Sequence, residues 1–279
     1  MSKFLRWLKI GLGSLVALIL VAYLAIYVIS EREIRHVWTP APVAITVPSD
    51  SASIAEGRRL VAIRGCTGCH GKQLQGDTLV DELMLATLYA PNLTASAQRY
   101  SNAELAQIIR EGVRPDGHGV LAMPSRSFHG MTDADLALTL AYVRSFPPVP
   151  GLGPHRRLGP LGRFGLSIGQ FKTMPRMISE AVPLPPAADS QAAQGRYLAQ
   201  TVCNECHGPA LKGDEFFASS NLRVLRAYSP EDFTKLMRTG VPLGGRKLGM
   251  MGEVAKVRFV HFTDAEVAAL YAYLHTLPD

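Results

Sequence analysis

The sequence predicts an all-α protein in which two helical domains follow one another behind a single N-terminal transmembrane helix. Three observations carry this. Ile10 to Ile29 is an uncharged run of twenty residues, and a helix of that length spans about 30 Å, the hydrocarbon thickness of a bilayer. Beyond it, helix-start signals recur ahead of apolar periodic stretches at Ser53, Ser101, Thr132 and Thr263. The order of these signals repeats with a period of roughly 130 residues, which marks a tandem duplication rather than a solenoid.

Residues 1–30 read as the anchor. Lys3, Arg6 and Lys9 precede the apolar run, while Glu31, Arg32, Glu33 and Arg35 follow it as a balanced set. The positive-inside rule then keeps the N-terminus in the cytoplasm and puts everything after Ser30 outside. The run exceeds the apolar core of a cleaved signal, and Val28-Ile29-Ser30-Glu31 is no small-residue cleavage site. Residues 31–51 form a stalk that Pro40, Pro42 and Pro48 restrict to extended conformations, lifting the first domain off the membrane.

The first domain is expected over residues 52–147. Ser53 and Glu56 form a capping box that opens a helix leading to Gly65. Ser101 and Glu104 open a second, with Leu105, Ile108 and Ile109 on one face and Gly112 at its end. Thr132 begins a third that runs to Pro147. Residues 189–279 repeat the order: Gly195-Arg196-Tyr197-Leu198 stands where Gly57 to Leu60 stood, Arg238-Thr239-Gly240-Val241 echoes Arg110-Glu111-Gly112-Val113, and Thr263 with Glu266 opens the last helix.

Residues 148–188 repeat nothing. Their prolines and glycines exclude a long helix near the start. Leu158, Leu161, Phe164, Ile168, Phe171 and Ile178 lie among Arg156, Arg157, Arg163, Lys172 and Arg176. Such a linker straps across the two domains, with its basic and apolar character directed at the membrane surface or a partner subunit. The net charge of +6 belongs here and to the N-terminus: residues 52–147 carry nine basic and nine acidic side chains, residues 189–279 ten of each, and residues 148–188 five against one. Two neutral domains are poor nucleic-acid binders.

All four cysteines lie in two pentapeptides, Cys66-Thr67-Gly68-Cys69-His70 and Cys203-Asn204-Glu205-Cys206-His207. C-x-x-C-H is the attachment pattern of a c-type haem. Two thiols one helical turn apart reach two vinyl groups on one porphyrin edge, and the histidine meets the iron from the proximal side. A zinc ribbon needs its second pair within about twenty residues, and here more than a hundred intervene. The chain is therefore expected to hold two covalent haem c groups, with His70 and His207 as proximal ligands. Methionine is the expected partner on the distal side. Met123 stands eleven residues beyond Gly112, and Met251 eleven beyond Gly240, with its neighbour Met250 as the alternative. His118, His129 and His261 are the histidine rivals, and Met84, Met131, Met174 and Met177 read as core filler. Arg110 and Arg238, at matched helix ends, are candidates to pair with haem propionates.

These motifs resemble the membrane-anchored di-haem cytochromes c, built from two class I cytochrome c domains. The resemblance covers residues 52–147 and 189–279, with Cys66, Cys69, His70, Met123, Cys203, Cys206, His207 and Met251 on the haem and ligand positions. The stretch Arg258-Phe259-Val260-His261-Phe262-Thr263-Asp264 is similar to cytochrome subunits of periplasmic dehydrogenases. Those often carry three haem motifs, and two are present here. In part the chain also resembles the di-haem subunit of cbb3-type oxidases. The resemblance implies an electron-transfer protein without a catalytic centre, held in a bacterial inner membrane with its haem domains in the periplasm. Its partners would be a periplasmic dehydrogenase, a quinol-oxidising complex or a terminal oxidase. A fixed subunit of such a complex is the first alternative, and a di-haem enzyme such as a peroxidase the second.

Overall fold

The computed structural model describes residues 2–181 and 190–277. It is predominantly helical. Helix α1 (Ser2–Ile34) exposes apolar side chains from Phe4 to Ile29 and is long and apolar enough to cross a membrane. It continues past the apolar run because Arg35 returns to Glu31 one turn back, at 2.6 Å.

The segment 36–50 is extended, as its prolines require. It does not hold the first half away from α1, however. Val43, Ile45 and Val47 alternate inward onto the first-half core, and the Trp38 N–H donates to the Gly117 carbonyl at 2.9 Å. Alternation with period two is what lets an extended chain bury one face, so the expected stalk is a strap laid along the protein.

The first half continues with α2 (Ser51–Ile63), α3 (Cys66–His70), β1 (Asp77–Glu82), β2 (Ala86–Ala90), α4 (Leu93–Arg99), α5 (Asn102–Glu111), α6 (Ser125–Phe128) and α7 (Asp133–Arg144). After it come β3 (His155–Leu158), α8 (Pro160–Ser167) and α9 (Met174–Ser179). The second half holds α10 (Ser190–Leu198), one wide π turn at Ala199–Cys203, α11 (Asn204–His207), α12 (Pro230–Thr239), α13 (Met250–Val257) and α14 (Asp264–His275). The expected boundary at 188/189 lies outside the described residues.

The capping boxes at Ser101 with Glu104 and at Thr263 with Glu266 are present, and Thr132 caps α7 by accepting from the Asp135 N–H. The one expected at Ser53 is not. Asp50 caps α2 instead, accepting from the Ser53 N–H at 2.9 Å, while Glu56 turns to Arg59. A carboxylate outcompetes a hydroxyl there because it also meets the positive end of the helix.

The fold is not wholly α. Strands β1, β2 and β3 form an antiparallel sheet in that order, with Asp81 opposite Thr87 and Leu88 opposite Arg156. The third strand comes from the segment expected to be a linker, so His155–Leu158 is folded onto the first half rather than stretched between halves.

Each half is closed by one tight helix crossing. A Cβ placed on Gly57 would strike the Leu138 carbonyl, and one on Gly195 the Ala269 carbonyl; in both cases a tyrosine, Tyr142 or Tyr273, lies alongside. Glycine is required because the backbones of α2 and α7, and of α10 and α14, touch. Beyond these equivalent glycines the halves differ by one residue before the first cysteine. Left-handed Gly65 absorbs the extra residue in the first half, and the π turn takes up the shorter spacing in the second.

The halves meet through matching positions. Two residues beyond its crossing glycine, Arg59 reaches Glu266 at 2.7 Å, and its counterpart Tyr197 donates to Asp135 at 2.6 Å. Glu266 and Asp135 are themselves the third residues of α14 and α7. The same patch thus faces itself across the boundary, as at a two-fold interface. Ile63 of the first half is buried in the second-half core, and Arg258 donates to its carbonyl at 2.8 Å.

Candidate haem-binding sites

Both pentapeptides are single helical turns, α3 and α11, followed by a glycine with positive φ, Gly71 or Gly208. The chain then folds back beneath the histidine identically in the two halves. The Gly76 N–H donates to the His70 carbonyl at 2.8 Å, and the Gly213 N–H to that of His207 at 3.0 Å. Between them Leu74 and Leu211 sit fully buried in the left-handed region, at φ 58° and 56°. That conformation costs about 1–2 kcal/mol for a residue with a side chain. Here it accompanies a leucine turned into the core of each half. The equal spacing of four residues after each histidine was visible in the sequence, but the backbone strain was not.

The imidazoles are held alike. His70 Nδ1 lies 2.8 Å from the Pro91 carbonyl, and His207 Nδ1 lies 2.7 Å from that of Ser220. A carbonyl accepts only from N–H, so Nδ1 carries the proton and the Nε2 lone pair is left for a metal. Burial pulls both histidines below their ordinary pKa, which favours the neutral ring that a metal requires. The carbonyls are positioned by the residues that follow them. Asn92 caps α4, and Asn221 caps the 3₁₀ turn Leu222–Ala227.

All four thiols are free, and desolvation pushes Cys66 up to about 11 and Cys203 up to about 12. A protonated, weakly hydrated thiol is a poor metal ligand on its own. Among the described residues no three His, Cys, Asp or Glu side chains gather as a metal cage. The donor set therefore fits a haem and not a zinc ion: two thiols one turn apart followed by a tautomer-locked histidine in each half.

The methionines lie in equivalent places. The loop holding Met123 crosses Gly112, the left-handed end of α5, where Ser125 donates to the Ile108 carbonyl at 3.0 Å. In the second half the start of α13 crosses Gly240, the left-handed end of α12, closely enough that a Cβ there would strike Gly252. Met123 packs against the first-half core and Met251 against the second-half core, whereas Met250 is 62% exposed. The core-facing methionine of the pair is thus Met251. Met131 is buried filler as expected, but Met84 is exposed at the β1–β2 turn.

The matched arginines each bind protein oxygens at the start of the last helix of their half. Arg110 donates to the Met131 carbonyl and to Asp133, both at 2.8 Å; Arg238 donates to the Phe262 carbonyl at 2.7 Å and to Asp264 at 2.6 Å. Each guanidinium staples the end of α5 or α12 to the first residue of the last helix. In Arg110 both bonds are made by Nη2, one of three nitrogens of the guanidinium, and the buried Nε has no protein partner. Arg258 was not singled out by its spacing, yet it lies between the two sites. It donates to Glu205, inside the second pentapeptide, at 2.9 Å, and a Cβ on Gly65 beside the first would touch its guanidinium.

Two of the rival histidines, His118 and His129, face carboxylates. His129 Nδ1 is 3.2 Å from Glu111, whose carboxylate raises the histidine's pKa. A raised folded-state value means that the stabilisation is complete below the unfolded pKa of about 6.5 and is lost as pH rises through the folded value. With His129 half exposed, the expected difference between wild type and His129→Gln is about 0.5 kcal/mol at pH 5.5 and near zero at pH 8.5, measured by thermal unfolding.

Comparison with known proteins agrees with this geometry. The chain is 24% identical over 269 residues to the fructose dehydrogenase cytochrome subunit of Gluconobacter japonicus, covering 86% of this chain and 54% of that protein. It is 27% identical over 279 residues to the alcohol dehydrogenase (quinone) cytochrome c subunit of Gluconacetobacter polyoxogenes, covering 84% and 58%. With the gluconate 2-dehydrogenase cytochrome c subunit of Pantoea cypripedii the identity is 26% over 270 residues, covering 82% and 60%. The chain thus spans little more than half the length of these relatives. The cytochrome c profile matches residues 54–147 and again 192–278. A family of that kind carries covalently bound haem c, and with both halves matched the chain belongs to the cytochrome c family.

Proposed function

We propose that the chain is a membrane-anchored di-haem cytochrome c that relays single electrons between redox partners outside a bacterial inner membrane, its N-terminus in the cytoplasm. The observation that carries the reading is the duplicated histidine lock, Nδ1 to a backbone carbonyl at 2.8 and 2.7 Å, with a core-facing methionine downstream in each half. Bound haem supplies an iron that takes up and releases one electron. Cys66 and Cys69, and Cys203 and Cys206, tether it covalently. His70 with Met123, and His207 with Met251, would hold the iron in each half and leave it no position for a substrate. The buried leucines and the interlocked halves hold these donors rigid, which favours electron transfer by limiting reorganisation between oxidation states.

The partner we favour is a periplasmic dehydrogenase, with the chain as its electron-transfer subunit. The dehydrogenase cytochrome subunits among its relatives support this. Intact-mass measurement after denaturation is expected to show two haem additions per chain, and gentle detergent extraction from native membranes a co-purifying catalytic subunit. A single haem addition, or a reduced protein that readily binds carbon monoxide, would overturn the relay. Purification of the chain alone would overturn the dehydrogenase assignment but leave the relay standing.

A further inference from the structure

Helix α8 is bound to the end of α1. Arg163 donates to Glu31 at 2.8 Å and to Ser30 at 3.0 Å, and its guanidinium lies 4.2 Å over the Tyr27 ring. Below it in sequence, Thr173 donates to Glu33 at 2.6 Å and Arg176 pairs with the same carboxylate at 3.2 Å. Tyr27 is two residues inside the end of the apolar run, about 3 Å along the axis. If α1 spans a bilayer, α8 therefore lies at the depth where hydrocarbon gives way to headgroups.

At that depth α8 presents an apolar face outward. Leu161, Phe164 and Ile168 recur at helical spacing and are all exposed, while Gly162, Gly165 and Leu166 are buried beneath them. The β1–β2 turn extends the patch. The Leu161 N–H donates to the Met84 carbonyl and the Gly159 N–H to that of Leu85, each at 2.9 Å, so the turn and the helix are one piece. Leu83 at that turn is 68% exposed and Met84 53%. A contiguous exposed apolar surface of this kind marks a contact site. Of the cations on α8, α9 and the segment between them, Arg163 and Arg176 are spent on α1, and Lys172 pairs with Glu180 at 2.5 Å. Asp81 and Glu82 of β1 flank the turn with the opposite sign.

We propose that α8 and the β1–β2 turn form an apolar wedge seated in the interfacial layer of the same bilayer that α1 crosses, which fixes the first half against the membrane. The occupant is lipid rather than protein because the patch is continuous with the lipid-facing end of α1 and is held level with it. Seating is by apolar burial, so it needs no anionic lipid and resists salt. The inference rests on α1 being a membrane anchor.

The test uses the full-length holoprotein in nanodiscs of neutral phosphatidylcholine, with the native cysteines consumed by haem. Nitroxide labels on Phe164→Cys, Leu83→Cys, Tyr23→Cys and Leu243→Cys are compared by their collision rates with oxygen, which favours lipid, and with a water-soluble nickel chelate. Positions 164 and 83 are expected to show an oxygen-to-nickel ratio several-fold above that of 243, an exposed site on the second half, and unchanged between low and high salt. A lipid-like 23 with water-like 164 and 83 would overturn the wedge and leave the anchor. A water-like 23 would overturn both. Labels at 164 and 83 that are lipid-like in nanodiscs but shielded from both reagents in native membranes would overturn lipid as the occupant in favour of a partner protein.

Discussion

Gly57→Ala is expected to abolish stable folding of the first half, and Gly195→Ala that of the second, although each adds one methyl group. The methyl would meet a backbone carbonyl of the facing helix, Leu138 or Ala269. A flexible side chain could move aside; a carbonyl engaged in its own helix cannot. Overpacking typically costs 1–3 kcal/mol, and with no relief available we expect about 3 kcal/mol or more, a large share of a domain's ordinary 5–15 kcal/mol. Gly153→Ala, at a site with nothing within 4 Å, is the control, with an expected change within about 0.5 kcal/mol. Denaturant titration of the purified variants checks the magnitudes, and haem stain per chain shows which half is lost.

Met251→Ala is expected to remove about half of the methionine-to-iron absorption near the red end of the oxidised spectrum and to lower one of two midpoint potentials, since thioether ligation raises potential relative to its loss. Met250→Ala, on an exposed side chain, leaves both unchanged. Met123→Ala is expected to remove the other half. If Met250→Ala instead takes the band away, α13 sits one residue out of register with the position assigned to it here.

What the residues disclosed was whatever is written locally. The boxes at Ser101 and Thr263, the left-handed stops at Gly112 and Gly240, and both haem motifs depend on side chains within a few positions of one another, and each lies where the sequence put it. Ser53 misled because Asp50, three residues earlier, starts the helix sooner by accepting from the N–H of Ser53, and nothing local ranks the two as caps. The sheet was invisible for a different reason. His155–Leu158 is a basic tetrapeptide among glycines and prolines, and it becomes a strand only because β2, some seventy residues earlier, offers it an open edge. Arg110 and Arg238 were recognised as a matched pair, but their bonds to the start of the last helix in each half were not, since repetition reveals that a residue matters and not what it touches. Arg258 lacks even that clue, because it bridges the two halves and a bridge has no counterpart.

The strap at 36–50 changes how the molecule meets its partners. Fifteen extended residues could span roughly 50 Å, enough for a tethered carrier to swing between a donor and an acceptor set well apart. Laid against the first half instead, and with Arg163 and Arg176 fastening that half to the end of α1, they confer no reach at all. In the proposed relay, distance would then be covered by the electron, passing from one half to the other through an interlocked body, and the partners would have to come to it.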